Sequence, residues 1–246
     1  MSGAYAGKVV LITGGARNLG RAMGAAFAAE GAAVAINART QRPELDDAIR
    51  AIEAAGGQAM ACVADVTDRA AVDEMVAATT ARFGRVDILV NNAVVHAAKP
   101  FLELSFAEWT KTMSVTLDGA FHVTQAALPA MIRAGGGSVI NMGGLFGHSP
   151  IPNRAPTAAS KAGLAGLTRA LAIELAAHKI NVNCVAPGPS NTARTTPLQF
   201  DMKRIPMGRF AEPDEIVATV LMLCGNEGRF ITGQTIHVNG GLFMNN

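Results

Sequence analysis

The stretch VVLITGGARNLG, residues 9–20, constrains the fold more than any other part of the chain. Val9, Val10, Leu11 and Ile12 form an apolar, largely β-branched run that ends in Thr13-Gly14-Gly15, and Asn18 and Gly20 then open a helix. A strand that turns this sharply into a helix N-terminus makes a cradle for a phosphate. Glycine lets the backbone approach a pyrophosphate, while the unpaired N–H groups and positive dipole end of the helix meet its charge. Tight packing alone also accounts for a glycine-rich turn, so the remaining sequence has to decide between the two.

Downstream, strand and helix patterns alternate. The first helix closes at Gly31 and is followed by a strand over 33–37, a helix over 44–55 and a strand over 59–64 that stops at Asp65. Val72, Met75, Val76 and Phe83 mark the next helix, and a strand over 87–90 ends at Asn91-Asn92-Ala93. Ser105 and Glu108 make a capping-box pair ahead of a long helix that runs toward Arg133. Then come a strand over 138–142, a helix over 157–178, a strand over 181–186, a helix over 213–224 and a strand over 235–238. This alternation predicts a single α/β domain over 1–246, a Rossmann-type doubly wound parallel sheet with helices on both faces. Ligands of such sheets lie at the carboxyl ends of the strands, so Gly14, Asp65, Asn91, residues 142–144 and Pro187-Gly188 should converge on one cleft.

Composition narrows the partners. Of 246 residues, 50% are hydrophobic and 16% charged, a balance that fills a large core and leaves an apolar excess suited to subunit contacts. The net charge of +2 carries no basic stripe, which argues against nucleic acid. The start MSGAYAGK lacks the order of a signal peptide and no apolar run reaches about 18 residues, so a cytoplasmic protein without a membrane partner is expected. Cys62, Cys184 and Cys224 are scattered and odd in number, as buried reduced thiols would be, and no metal site is indicated.

The segments TGGARNLG (13–20), DV (65–66), NNA (91–93), SK (160–161), PGPSNT (187–192) and ITGQTIHVNG (231–240) together resemble the short-chain dehydrogenase/reductase family over essentially the whole chain. The resemblance implies a nicotinamide nucleotide. Gly14, Arg17, Asn18, Leu19 and Gly20 would form its phosphate loop, with Asn18 standing where the family usually has its middle glycine; Asn tolerates left-handed backbone better than other side chains. Asp65 and Val66 would hold the adenine, Asn91 and Ala93 the adenosine ribose, Pro187, Gly188 and Thr192 the carboxamide, and Lys161 the nicotinamide ribose. The resemblance also implies a homo-oligomer, a tetramer, built on the helices over 108–133 and 157–178. A segment at about 189–210, including Arg194, Pro197, Leu198, Phe200 and Met202, would cover a small, partly apolar substrate.

An acid after the second strand would bond the ribose 2′-hydroxyl and select NAD. Here Asn37-Ala38-Arg39 stands there, with Arg17 in the glycine loop, and neither arginine has an acid beside it in this reading. Two guanidinium groups suit a 2′-phosphate by charge and donor geometry, so the expected cofactor is NADP(H).

The family's catalytic set is another matter. Its Tyr, four residues before the Lys, corresponds to Thr157; its Ser, thirteen before the Tyr, to Gly144; its Asn, in the long helix, to Thr116. Only Lys161 is kept. A phenol lowered by a neighbouring lysine can protonate the alkoxide that hydride addition creates, whereas an aliphatic hydroxyl is far too weak an acid. Two chemistries escape this need: a substrate such as an iminium or conjugated C=N or C=C bond, or a histidine acid, His148 first and His96 second, with Asp118 and His122 also near. The competing reading is a repurposed fold with non-redox chemistry or nucleotide-dependent binding, since fold does not fix function.

Overall fold

The computed structural model describes residues 3–193 and 200–244. A seven-stranded sheet runs in the order β3-β2-β1-β4-β5-β6-β7, with every pairing parallel. Its strands are β1 (Val9–Ile12), β2 (Ala33–Ala38), β3 (Gln58–Val63), β4 (Ile88–Asn91), β5 (Gly137–Met142), β6 (Ile180–Pro187) and β7 (Thr235–Val238). Between them lie α1 (Asn18–Ala29), α2 (Pro43–Ala54), α3 (Arg69–Phe83), α4 (Phe106–Met113), α5 (Gly119–Arg133), α6 (Ala155–Leu175) and α7 (Pro213–Cys224). The doubly wound α/β domain expected from the alternation is the fold observed.

β1 explains why the central strands read as unbroken apolar runs. Val10 and Ile12 point into one core with Met23, Phe27, Val34, Ile216 and Val220, while Leu11 points into the other with Leu89, Val123, Met131 and Val182. Both faces are covered, so alternation with polar residues would place polar atoms in one core or the other. At about 25 cal/mol per Å² of apolar surface, these two layers supply the main driving force for the fold.

The helix expected to run unbroken toward Arg133 is divided. The Ser105–Glu108 capping box opens α4 as anticipated, but Ser114–Asp118 forms a π-helical turn before α5 begins. Such turns insert an extra residue into the helical ladder and recur at functional sites. Periodicity does not register one, because the apolar face continues on both sides. α6 starts at Ala155 with Pro156 in its first turn, and its end tightens into a 3-10 turn over Ala176–His178. Cys62, Cys184 and Cys224 are free thiols. Among the described residues no helix is long and apolar enough to cross a membrane.

Candidate active site

Because all strands are parallel, the turns that follow β1, β3, β4, β5 and β6 open on one edge of the sheet. After β1, Gly14 adopts φ 60° and a Cβ there would lie 3.0 Å from the Ala93 Cα; a Cβ on Gly20 would lie 2.6 Å from the Gly14 carbonyl oxygen. Asn18 takes the left-handed conformation, φ 53°, as its choice in place of glycine predicts. Arg17 caps α1 without a side-chain hydrogen bond, and the first turn holds no acid, so its N–H groups face the cleft uncompensated. Leu19 turns back into the core.

Three side chains whose bracing work the sequence reading missed hold this loop in place. The Asn92 amide donates to the Thr13 and Gly14 carbonyls, both at 3.0 Å. The Thr13 hydroxyl accepts the N–H groups of Asn92 and Ala93 at 2.9 and 3.0 Å. Asn37 is buried; its oxygen accepts from the Gly14 N–H at 3.4 Å and its amide donates to Cys62 and Ala64 carbonyls at 3.2 and 2.9 Å. Polar residues at the ends of apolar strands were the available signal.

The segment after β2 departs from the sequence reading in one respect. Arg39 is exposed, but Arg17 does have an acid nearby, Glu44 at the start of α2, 4.0 Å away. Both partners are about half exposed, and the separation is the outer limit of an ion pair. Local sequence could not reveal this, since the two residues are brought together by the β1–α1 and β2–α2 turns.

Asp65 accepts the Thr67 N–H and hydroxyl at 3.0 and 2.8 Å, shaping the turn after β3, and Val66 is buried where a Cβ on Gly119 would come within 2.7 Å of its Cγ2. Asn91 turns inward: its amide donates to Thr124 Oγ1 and Asn141 Oδ1, both at 2.9 Å, and Asn141 in turn donates to Thr168 Oγ1 at 2.9 Å. This chain of amides and hydroxyls ties β4 and β5 to α5 and α6 beneath the cleft. Ala93 is half-buried beside the glycine loop. Pro187 ends β6, the Gly188 N–H donates to Val238 at 2.9 Å, and the Thr192 N–H donates to Ser190 at 2.9 Å. Arg194, Pro197 and Leu198 of the covering segment lie outside the described residues.

Around Lys161 the end of β5, the turn that follows it and α6 meet. Lys161 is buried and its Nζ donates to the Met142 carbonyl at 2.5 Å. Burial lowers its pKa to about 8, with a small opposing influence from Cys184. A Cβ on Gly147 would lie 2.9 Å from the Lys161 Cβ, so the Leu145–Gly147 turn lies directly on the helix there. Thr157, one helical turn before Lys161 on the same face, and Thr116, in the π-helical turn, are each 2% exposed. Their hydroxyls have no hydrogen-bond partner among the described residues. Gly144 faces open space: nothing lies within 4 Å of the position its Cβ would take.

The histidines separate. His148, expected in an exposed loop, is partly buried: its ring stands edge-on to His237 at 4.6 Å and 5.8 Å from Phe243, with Nε2 buried and unpartnered among the described residues. β7 and the residues after it supply this aromatic wall, from a part of the chain that local sequence around His148 cannot report. Burial, then the nearby Arg169, lowers the His148 pKa. His96 lies exposed on the segment after β4, as does Asp118 at the end of the π-helical turn, and His122 Nδ1 lies 3.1 Å from the Val66 carbonyl. Among the described residues no three His, Cys, Asp or Glu side chains gather as metal ligands.

Residues 14–243 match a family model described as enoyl-(acyl carrier protein) reductase. The chain is 38% identical over 243 residues to the 3-oxoacyl-[acyl-carrier-protein] reductase FabG of Thermotoga maritima, covering 97% of this chain and 98% of that one. It is 41% identical over 245 residues to BbsD, a subunit of the (2S)-[(R)-hydroxy(phenyl)methyl]succinyl-CoA dehydrogenase of Thauera aromatica, covering 95% and 96%. A short-chain dehydrogenase/reductase variant from Serratia marcescens superposes with a TM-score of 0.92 at 32% identity, over 97% of this chain and 99% of that one. With its sheet order, its cleft and these matches in agreement, the chain belongs to the short-chain dehydrogenase/reductase family of oxidoreductases.

Proposed function

We propose that this protein is an NADP(H)-dependent oxidoreductase with a rebuilt active site, acting on the C=N bond of a small, partly apolar molecule. The nucleotide reading is supported by the loop after β1: Gly14 and Gly20 let it pack so closely on Ala93 and on itself that a Cβ would collide, and the first turn of α1 offers N–H groups without a competing acid. Arg17 and Arg39 would meet the 2′-phosphate, Asp65 and Val66 the adenine, and Gly188 and Thr192 the carboxamide. When bound, a nicotinamide supplies or accepts the hydride.

The observation that carries the choice of bond is the pair of buried, unpartnered threonine hydroxyls, Thr116 and Thr157, in the positions where the family's Asn and Tyr would stand. Neither can serve as the acid for a neutral carbonyl. For this reason the 3-oxoacyl substrate in the name of the Thermotoga relative is not carried over. Hydride addition to a protonated C=N carbon leaves a neutral amine, so no alkoxide has to be quenched. His148 is the histidine that a carbonyl substrate would have to use instead.

In this reading the protein is cytoplasmic and a homotetramer. Phe106, Phe121 and Ile173, exposed on α4, α5 and α6, would be covered between subunits. Light scattering that gives a mass four times that of the chain agrees with this; a monomer at micromolar concentration overturns it.

Calorimetry with NADPH and NADH, followed by turnover with 2-methyl-1-pyrroline and with cyclohexanone, tests the rest. NADPH should bind at least about tenfold tighter than NADH, and the imine should be reduced in preference to the ketone. Failure to bind either nucleotide would favour non-redox chemistry.

A further inference from the structure

We propose that the Lys161 ammonium is itself the proton donor of the reaction, passing a proton from Nζ to the nitrogen of the substrate's C=N bond. This rests on the C=N reading above.

Geometry carries it. Lys161 is buried at the meeting point of the β5 end, the Leu145–Gly147 turn and α6. The Met142 carbonyl takes one of its three N–H donors at 2.5 Å and so fixes where Nζ sits. The residue one turn earlier, Thr157, carries no ring, and Gly144, in the turn after β5, has open space where a side chain would stand. His148 is placed less well for the same task, since its ring packs on His237 and Phe243 and its buried Nε2 faces no partner among the described residues.

The electron count closes. The Nζ–H bond breaks and leaves its pair on Nζ, while the lone pair of the imine nitrogen takes the proton and gives an iminium. Hydride addition to the carbon sends the C=N π pair to nitrogen, leaving a neutral amine product. The neutral Lys161 amine regains a proton from water before the next turnover. Positive charge moves from one nitrogen to another and is never created in the buried site, which keeps the desolvation cost low.

The acidity fits. Burial lowers Lys161 to about 8, so it is mostly protonated at neutral pH yet a far stronger acid than a solvated lysine near about 10.4. Cys184, from β6, is the titratable side chain coupled to it, its thiol pushed up by burial and so uncharged at neutral pH; Met142 contributes a backbone carbonyl, and Thr157 on its own helix does not titrate in this range.

The test compares a neutral imine, 2-methyl-1-pyrroline, with its N-methylated iminium, which needs no proton. Lys161→Arg keeps a cation and N–H donors but cannot release a proton, because a guanidinium stays protonated across the working pH range. In this variant, turnover of both compounds can drop through the shared loss of the nicotinamide-ribose contact, but reduction of the neutral imine should fall by about 10²-fold or more relative to reduction of the iminium. Equal losses on both substrates, or undiminished turnover of the neutral imine, overturn the proposal. If the unaltered protein binds NADPH but reduces neither compound, the C=N reading fails, and this proposal with it. A readout free of turnover and of nucleotide comes from the full-length chain with ¹³C at the lysine ε carbons. The resonance missing in Lys161→Met should titrate near about 8, and a midpoint near about 10.4 overturns the assignment even where Lys161→Arg fails to fold.

Discussion

The side-chain amide of Asn18 donates a 3.1 Å hydrogen bond to the carbonyl of Ala193, joining the glycine loop after β1 to the segment after β6. Two separate properties of Asn meet at this position. The backbone is left-handed, φ 53°, and the amide reaches across the mouth of the cleft. Asn18→Gly keeps the first and loses the second, while Asn18→Ala loses both. Asn18→Ala should therefore lower unfolding free energy in urea by about 1 kcal/mol, whereas Asn18→Gly stays within about 0.5 kcal/mol. Nucleotide release, followed by stopped-flow fluorescence, should quicken in both. Equal stability of the two variants would show that the backbone conformation costs nothing here.

The ion pair between Arg17 and Glu44 bears on the proposed 2′-phosphate contact. Glu44 sits 4.0 Å from the guanidinium that the phosphate would need, and both are half exposed, so their attraction is weak and screened by salt. Removing the acid should help the nucleotide. Glu44→Gln is expected to tighten NADPH by about two- to fivefold at low salt, with the gain shrinking as salt rises, and to leave NADH unchanged. Arg39→Ala should weaken NADPH by about tenfold, the usual size of a charge-assisted contact. Calorimetric affinities that move equally for the two nucleotides would remove the 2′-phosphate from the account.

The division between what the sequence carries and what it hides follows the range of the interactions. The strand–helix alternation and its parallel sheet, the glycine loop and the left-handed Asn18 were legible, because each depends on a few neighbouring residues: an apolar run, a glycine where a Cβ would collide, a side chain tolerant of positive φ. The π-helical turn at Ser114–Asp118 was not, since an extra residue in a helix leaves the apolar stripe on either side intact. Nor was the inward turn of Asn91, which depends on Asn141 and Thr124 arriving from other elements. The surroundings of His148 were hidden for the same reason: His237 and Phe243 come from the far end of the chain.

That histidine cluster gives a pH dependence of stability. Burial lowers His148, and burial together with His148 lowers His237, each from an ordinary value of 6.5. A base whose folded pKa is depressed is protonated first in the unfolded chain, so between the folded and unfolded values the unfolded state binds more protons and stability rises with pH. Above about 6.5 both states are neutral there and the contribution is flat; it is lost as pH falls below that value. Glu108, held near 2 by the Ser105 hydroxyl and N–H and by Lys99, and Glu215, held near 2 by Arg209 and the Glu212 N–H, act only below about 4.5. The melting temperature should therefore begin to fall between pH 6.5 and 5, before those carboxylates titrate. In His148→Phe this early fall should be smaller. An unchanged profile in that variant would mean the two rings do not titrate with unfolding.

The last prediction concerns what a phenol alone can restore. Thr157 is 2% exposed, so Thr157→Tyr forces a ring into a packed wall and should cost about 1–3 kcal/mol of stability unless it swings toward the opening at Gly144. If it does swing there, the ring would stand, on the proposed C=N reading, in the way of a substrate bound for Lys161, and turnover of 2-methyl-1-pyrroline should fall by about tenfold or more. Ketone reduction should not appear in return. A phenol beside Lys161 can donate a proton, but with Gly144 no hydroxyl polarises the carbonyl, and with Thr116 no amide extends from the π-helical turn. The triple variant Gly144→Ser, Thr157→Tyr and Thr116→Asn supplies all three groups and should reduce cyclohexanone where the single variant does not. Such partners act as a unit, so the gain should appear at the triple step rather than in three equal increments. Ketone turnover in Thr157→Tyr alone, at a rate matching the triple variant, would mean that this cleft needs only the acid and that its other departures from the family pattern are neutral.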